Sequence, residues 1–199
     1  MPYRRELLGQ EAVIRQVRDL LTDGRSVLLF GPEAIGKTAI IGAVARDGVS
    51  ILDPFERVSG HSACDMRRAL DRGAVFLGAS RVPHGRQLGS VGRILWRFSL
   101  VRVRELADPI LRRVVIREIG LAEHSADDGW LREVVTLSRG RPGFASAMGR
   151  FANAWKEAHG YLPLPALAFA VIREETASEA LRTGAGLRSV ARRLERDFR

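Results

Sequence analysis

"LLFGPEAIGKTAII", residues 28–41, decides how this chain folds. Gly31, Gly36, Lys37 and Thr38 fit the phosphate-loop pattern G-x-x-x-x-G-K-[ST], in which backbone N–H groups and a lysine surround the phosphates of a nucleotide. Lys37 is one of only two lysines among 32 basic residues, so a chain that otherwise uses arginine carries lysine at this position. The pattern therefore predicts a nucleotide-binding loop rather than an accidental match.

The flanking residues predict the strand, loop and helix order that a phosphate loop requires. The run "SVLLF" (26–30) is continuously apolar, as in a strand buried on both faces of a parallel sheet, and "TAIIGAVAR" (38–46) is typical of a helix. In such a loop, Lys37 neutralises the β- and γ-phosphates and the Thr38 hydroxyl ligates Mg²⁺. The remaining residues expected to line the nucleotide are Pro32, Glu33, Ala34, Ile35 and Ala39.

Strands alternate with helices through the first hundred residues. A second buried strand is expected at 49–55, further strands at 74–80 and 99–106, and helices at 11–23, 62–72 and 91–98. This alternation predicts an α/β fold in which helices cover both faces of a parallel sheet, as in P-loop NTPases.

The strand pattern ends at Asp108. Helical segments follow at 109–119, 127–138 and 143–158, then a Pro-rich break, an apolar helix from 166, and a basic amphipathic helix over 187–198. We therefore expect an α/β nucleotide-binding domain (1–107), an all-helical lid domain (108–160) and a C-terminal helical extension (161–199).

Composition limits the kinds of protein this can be. Hydrophobic residues make up 46% of the 199 residues, which is ample for a core. No apolar run approaches the roughly 18 residues that span a bilayer, and the first ten residues lack the apolar segment of a secretory signal. A cytoplasmic location without membrane contact is expected. The single cysteine, Cys64, excludes an internal disulfide.

The net charge of +9 indicates an affinity for polyanions. In the last helix an apolar stripe leaves several arginines on the other sides, and these are the candidate DNA contacts: Arg188, Arg192, Arg193 and Arg196. Because no sequence-reading motif is visible, any contact should be mainly to the DNA backbone. The alternative is that these arginines are merely solvated, and charge alone does not separate DNA from RNA or from an acidic protein.

Five segments resemble AAA+ ATPases, especially the branch that holds origin-recognition proteins, clamp loaders and transposition helper ATPases. "RELLGQEAVIRQVRDLLTDGRSVLLFGPEAIGKT" (5–38) resembles their opening, and "ILDPFERV" (51–58) resembles their Walker B segment. "AVFLGASR" (74–81) resembles the sensor 1 strand, and "RILWRFSLVRVREL" (93–106) the helix and strand that carry a trans-acting arginine. "LSRGRPGFASAMGRFA" (137–152) resembles the lid helix that holds sensor 2.

The resemblance implies a role for four side chains outside the loop. Asp53, an acidic residue at the end of a strand, positions Mg²⁺; Ser80 senses the γ-phosphate; and Arg97 reaches the nucleotide of a neighbouring subunit. Sensor 2 is normally an arginine just after Gly-x-Pro, where this chain has glycine, so Arg141 is the nearest substitute. The alternatives are an Asx-type turn at Asp53, a plain strand end at Ser80 and a surface arginine at Arg97.

Two departures from the AAA+ pattern affect the expected activity. Pro54 stands where an acidic residue normally polarises the attacking water, and Glu56 is two residues further on, so hydrolysis is expected to be slow, partner-dependent or absent. Only 15 residues separate Lys37 from Asp53, too few for the usual additional strand and helix. We expect a pared-down sheet that lacks one edge strand.

Three functions remain open from the sequence. The first is an ATP-binding regulator that self-associates into a ring or filament and binds DNA, in replication initiation or transposition. The second is a nucleotide-gated protein-interaction switch without a nucleic-acid role. The third is a small-molecule kinase, which the helical C-terminal half disfavours.

Overall fold

The computed structural model describes residues 7–55, 58, 60–81, 85–120 and 127–177. The chain divides into two compact units, one ending at Arg104 and the other beginning at Glu105. The domain boundaries predicted at residues 107 and 160 stay predictions. The predicted basic helix over 187–198, with its four candidate DNA-contacting arginines, lies outside the described residues.

The first unit is an α/β layer. Its helices are α1 (Glu11–Thr22), α2 (Lys37–Val44) and α3 (Gly60–Asp71), together with a 3₁₀ helix over Gly85–Arg97. Its strands are β1 (Ser26–Phe30), β2 (Val49–Leu52), β3 (Val75–Ser80) and β4 (Phe98–Arg102). The strands form one parallel sheet in the order β2-β3-β1-β4. The α/β fold class predicted from the sequence is confirmed.

Helices cover both faces of this sheet because side chains alternate along each strand. In β1, Val27 and Leu29 are buried against α1 and α2, whereas Leu28 is buried against α3 and the 3₁₀ helix. The continuous apolar run of β1 therefore serves two cores. This explains why the strand shows no polar alternation in the sequence.

The predictions for β2 and β4 were wrong in their extent. The strand expected at 49–55 ends at Leu52 and is not buried on both faces, because β2 lies at the sheet edge and Ile51 is 50% exposed. The strand expected at 99–106 ends at Arg102, although the Val103 N–H still donates to the Phe30 carbonyl oxygen at 2.9 Å. Because apolar residues follow both strand ends, the apolar segments in the sequence are longer than the strands, and the predicted strands extended too far.

The short connection before β2 matches the expected loss of a strand. Only residues 45–48 separate α2 from β2, and all of them are described. They contain neither an additional helix nor an additional strand, so β2 itself forms the sheet edge.

The described part of the second unit contains helices and no strand: α4 (Asp108–Ile119), α5 (Asp128–Ser138), α6 (Pro142–His159) and α7 (Pro165–Ala177). Asp127 caps α5 by accepting a hydrogen bond from the Gly129 N–H at 2.9 Å, and Trp130 Nε1 donates to the Pro163 carbonyl oxygen at 2.7 Å. At Gly149 an added Cβ would lie 3.1 Å from the Val115 carbonyl oxygen, so glycine permits close packing of α4 and α6. Among the described residues, no helix is long and apolar enough to cross a membrane.

Candidate nucleotide site

The glycine loop joins the end of β1 to the start of α2. Gly31 has φ +155°, and an added Cβ there would lie 2.7 Å from the Val103 carbonyl oxygen, so the position excludes any side chain. Gly36 has φ +97° and immediately precedes α2. Ala34 also has a positive φ, +59°, which costs a non-glycine residue about 1 kcal/mol. The loop is thus held in the tight path that the sequence pattern predicts.

The Lys37 ammonium is folded into this loop. Its Nζ donates to the carbonyl oxygens of Gly31 and Pro32, both at 2.7 Å. Ile35 is fully buried in the core on the α1 and α2 side, so it anchors the loop and offers a ligand only its backbone. The N-terminus of α2 directs backbone N–H groups and partial positive charge to the same place, which suits a phosphate group.

Thr38 and Asp53 meet beside the loop. The Thr38 hydroxyl donates to Asp53 Oδ2 at 2.6 Å, and Asp53 directly follows β2. Mg²⁺ prefers oxygen ligands at about 2.0–2.1 Å in an octahedron, which places neighbouring ligand oxygens about 3 Å apart. A small outward movement of these two oxygens would therefore admit the ion, so the residues present fit the Mg²⁺ site expected from the sequence.

A buried phenylalanine fixes the chain just after Asp53. Phe55 is fully buried and meets Phe98 edge-on, with ring centroids 5.2 Å apart. A Cβ added at Gly78 would lie 2.9 Å from the Phe55 ring, so glycine makes room for it. Pro54, held between Asp53 and this anchor, is half-buried and carries no proton-accepting group. Glu56, the other carboxylate considered from the sequence, lies outside the described residues.

Ser80, the last residue of β3, and Arg81, the residue after it, lie near the glycine loop. Ser80 pairs with Phe30 in the sheet register, and its exposure is only 1%. The next residue, Arg81, has a side chain that is 67% exposed, and its Nη2 lies 3.1 Å from Glu33 Oε1. Arg81 is not among the site residues predicted from the sequence. The sequence feature that could have identified Arg81 is its position directly after β3, the strand that pairs with β1 and so ends beside the glycine loop.

Arg97 and the glycine loop lie at opposite ends of the strands. Arg97 directly precedes Phe98, which pairs with Ser26 at the start of β1, whereas the loop follows the end of β1. The five residues of β1, at about 3.3 Å each, separate these two ends by roughly 16 Å. Arg97 is therefore too far from the loop of its own chain to contact a nucleotide there.

Among the residues that the structure describes, Arg97 contacts Asp71 and Trp96. Its guanidinium forms an ion pair with Asp71 and lies 4.7 Å from the ring centroid of Trp96, which is 77% exposed. A cavity of about 270 Å³ opens beside them and is also lined by Arg25 and Leu70. An exposed tryptophan beside a held arginine is an unusual surface for a lone chain.

Arg141 belongs to the second unit. It immediately precedes α6, and its guanidinium lies 5.7 Å from the centroid of the Phe144 ring. Its assignment as a sensor 2 substitute stays a prediction.

The exposed Ala39 on α2 presents only a methyl group, so any contribution to nucleotide binding comes from its backbone.

No protein-family model matches the sequence, and no curated protein matches it either. Solved structures do match. RuvB of Thermotoga maritima, described as a Holliday junction branch migration motor, superposes with a TM-score of 0.57 at 16% identity, covering 84% of this chain and 69% of RuvB. A lysine-to-arginine variant of the same RuvB gives a TM-score of 0.59 at 14% identity, covering 89% of this chain and 73% of the variant.

The chain has an α/β P-loop NTPase fold, which it shares with RuvB. At these identities the likeness establishes the fold alone, together with the order of its elements. It does not decide among origin-recognition proteins, clamp loaders and transposition helpers, so the branch predicted from the sequence stays a prediction.

Proposed function

We propose that this protein is an ATP-binding AAA+-like regulator of the cytoplasm that oligomerises in a nucleotide-dependent way and associates with DNA. The observation that carries nucleotide binding is the 2.6 Å contact between Thr38 and Asp53. These residues come from separate elements and meet at the mouth of a loop that already encloses an ammonium group, Lys37. The Lys37 ammonium suits phosphate oxygens, and the Thr38 hydroxyl and Asp53 carboxylate suit Mg²⁺, so together they provide the groups that a Mg²⁺-nucleotide requires.

Each side chain has a defined task in this proposal. Gly31 and Gly36 leave room for the phosphates, Lys37 exchanges its two carbonyl partners for phosphate oxygens, and Thr38 and Asp53 hold Mg²⁺. Bound Mg²⁺ would neutralise part of the triphosphate charge. Ser80 and Arg141 are the candidates that the AAA+ resemblance gives for sensor 1 and sensor 2, and Ser80 is almost fully buried.

Hydrolysis is proposed to be weak or partner-stimulated. Pro54 occupies the position at which AAA+ proteins usually orient water, and proline can neither accept a proton nor orient it. A loss of about 4 kcal/mol of transition-state stabilisation slows a reaction about a thousandfold and leaves binding intact. Nucleotide occupancy, rather than rapid turnover, is then the signal that the protein transmits.

The position of Arg97 supports the proposed self-association into a ring or filament. Because Arg97 lies roughly 16 Å from its own loop, a phosphate contact requires the loop of a second copy. Asp71 and Trp96 hold the guanidinium at the surface, where an approaching subunit could engage it.

DNA association is supported by the charge of +9 and by the AAA+ fold shared with RuvB, a protein that acts at Holliday junctions according to its description. The proposed contacts are made to phosphates by the arginines of the last predicted helix: Arg188, Arg192, Arg193 and Arg196. A replication-initiation or transposition-helper role is the finer form of this proposal.

One observation favours the alternative, a nucleotide-gated switch that binds a partner protein and no nucleic acid. Several described arginines are already paired with carboxylates, which lowers the free positive charge of the surface. These pairs are Arg68 with Asp65, Arg81 with Glu33, Arg97 with Asp71, Arg112 with Asp128, and both Arg117 and Arg150 with Glu118.

The test measures three properties of the full-length chain. ATP binding is followed by calorimetry with and without Mg²⁺, assembly by analytical ultracentrifugation, and DNA binding by fluorescence anisotropy over a salt series. We expect ATP with Mg²⁺ to drive assembly in the wild type and Lys37→Ala to abolish it. Arg97→Ala should bind ATP normally but stay monomeric, while Arg93→Ala, an exposed arginine four residues earlier, should assemble like the wild type.

DNA affinity separates the two candidates. The proposal expects log K to fall steeply with log salt concentration, and alanine at the four C-terminal arginines to flatten that slope. A chain that assembles with ATP but shows no DNA retention at low salt supports the protein-interaction switch. A chain that stays monomeric at saturating ATP contradicts both.

A further inference from the structure

We propose that Arg81 binds the third phosphate of the bound nucleotide, and that Glu33 pairs with Arg81 when no triphosphate is present. This rests on the proposed function, ATP binding at the glycine loop. It adds a specificity-determining pair that neither the glycine-loop pattern nor the AAA+ resemblance identifies. In this arrangement Arg81 takes the γ-phosphate-sensing role that the AAA+ resemblance assigns to Ser80, and it sets the preference for ATP over ADP.

The sheet register brings Arg81 to the loop. β3 runs parallel to β1 with Phe30 opposite Ser80, so the residues that follow, Gly31 and Arg81, leave the sheet side by side. Arg81 is separated from the loop by some fifty positions in the sequence, yet its guanidinium contacts the loop's third residue, Glu33, at 3.1 Å. The contact is therefore created by the parallel pairing of two central strands.

Exposure distinguishes Arg81 from Ser80. Ser80 is 1% exposed, so its hydroxyl is almost out of reach of a ligand in the mouth of the loop. The Arg81 side chain is 67% exposed and that of Glu33 is 42% exposed, so both can move. A guanidinium also offers several donors to a phosphate group, whereas a hydroxyl offers one.

Charge explains why the pair would open on binding. Lys37 donates to the carbonyl oxygens of Gly31 and Pro32, and Arg81 donates to the carboxylate of Glu33 at the mouth of the loop. A triphosphate brings additional negative charge beside Glu33 and competes with it for the guanidinium. Arg81 then exchanges a carboxylate partner for a phosphate partner without being left unpaired, while a diphosphate, one group shorter, leaves the ion pair closed.

The two partners are predicted to respond in opposite directions. Arg81→Gln should lower ATP affinity about tenfold or more, the usual loss for a hydrogen bond to a charged group, and leave ADP affinity within about twofold. Glu33→Gln removes the competing acceptor and the like charge, so it should raise ATP affinity several-fold. A surface ion pair that only stabilises the fold would lower the melting temperature equally in both variants and leave the ATP-to-ADP affinity ratio unchanged.

The experiment titrates ATP and ADP, each with Mg²⁺, into the full-length wild type and the variants by calorimetry, with melting temperatures measured in parallel. Arg93→Gln, an exposed arginine of the same unit, is the matched control, and Ser80→Ala is the direct competitor. Opposite shifts in Arg81→Gln and Glu33→Gln, with Ser80→Ala near the wild-type ratio, support the proposal. An unchanged ratio in Arg81→Gln, or a collapsed ratio in Ser80→Ala alone, overturns it.

Lys37→Ala separates this failure from failure of the proposed function. If Lys37→Ala abolishes ATP binding while Arg81→Gln keeps the wild-type ratio, the loop binds ATP and only the role of Arg81 is wrong. If the wild type binds no ATP, or if Lys37→Ala binds it equally well, the proposed function fails and the role of Arg81 fails with it.

Discussion

Replacing Phe55 by alanine should weaken both the fold and the proposed magnesium site. Phe55 is fully buried, meets Phe98 edge-on and follows Asp53 by two residues. Truncating such a side chain lowers the free energy of unfolding by about 3–5 kcal/mol, because apolar contacts are lost and the removed ring leaves a cavity. For a chain of this size each kcal/mol shifts the melting temperature by about 2–4 °C, so a decrease of roughly 6–20 °C is expected.

The same change should release Asp53. With its anchor gone, the segment after β2 gains conformational freedom, and the Asp53 carboxylate no longer rests beside Thr38. We expect the Mg²⁺-dependent part of ATP affinity to fall about tenfold, equivalent to about 1.4 kcal/mol. Binding in the presence of a chelator should change little, because the glycine loop and Lys37 are untouched.

The assay combines thermal melts with ATP titrations at a temperature where every variant is folded. Phe55→Leu is the matched control, because it keeps most of the apolar volume and should cost roughly 1.5 kcal/mol. A Phe55→Ala chain that melts like the wild type refutes the packing argument. A chain that is destabilised but keeps full Mg²⁺-dependent affinity shows that β2 and Thr38 hold Asp53 without the anchor.

Three further changes test other parts of the molecule. Pro54→Glu should raise ATP turnover at level nucleotide affinity, with Pro54→Gln as the control; brisk hydrolysis by the wild type would mean that the catalytic carboxylate lies elsewhere. Asp71→Asn should free the Arg97 guanidinium and shift ATP-dependent assembly to lower protein concentration in ultracentrifugation, and unchanged assembly would show that the ion pair restrains nothing. Arg112 donates a hydrogen bond to the Asp128 carboxylate and places its positive charge beside it, which lowers the pKa of Asp128 below its ordinary value. This pair therefore stabilises the fold at pH values above the ordinary aspartate pKa and loses its effect as acid protonates the carboxylate; the melting temperature of Asp128→Asn should fall less steeply with decreasing pH than that of the wild type.

Sequence patterns located most elements because helix and strand signals are local. The helix expected at 109–119 is observed at Asp108–Ile119, and the strand expected at 26–30 is Ser26–Phe30. The helix expected at 91–98 is part of a longer 3₁₀ helix, Gly85–Arg97. Hydrophobic spacing does not distinguish the tighter 3₁₀ form from an α-helix over so short a span.

Strand ends were less predictable. Phe55 continues the apolar run of "VSILDPF" and was assigned to the strand, but the chain leaves the ladder after Leu52 and Phe55 packs beneath the sheet beside Phe98. An apolar side chain is compatible both with a place in the strand and with a place in the core beyond the strand end. Which of the two it takes depends on the side chains that surround it.

The glycine loop and the α/β class could be predicted from residue identities alone, because glycine, lysine and threonine at fixed spacing impose a backbone path that few other residues can follow. Asp53 could be predicted as well, since an acidic residue after a strand is a local signal. Three relations required the folded chain: β2 forms an edge of the sheet, Arg97 lies far from its own loop, and Arg81 contacts Glu33. Those relations depend on which strands pair and in what register, and strand pairing joins residues that are distant in the sequence.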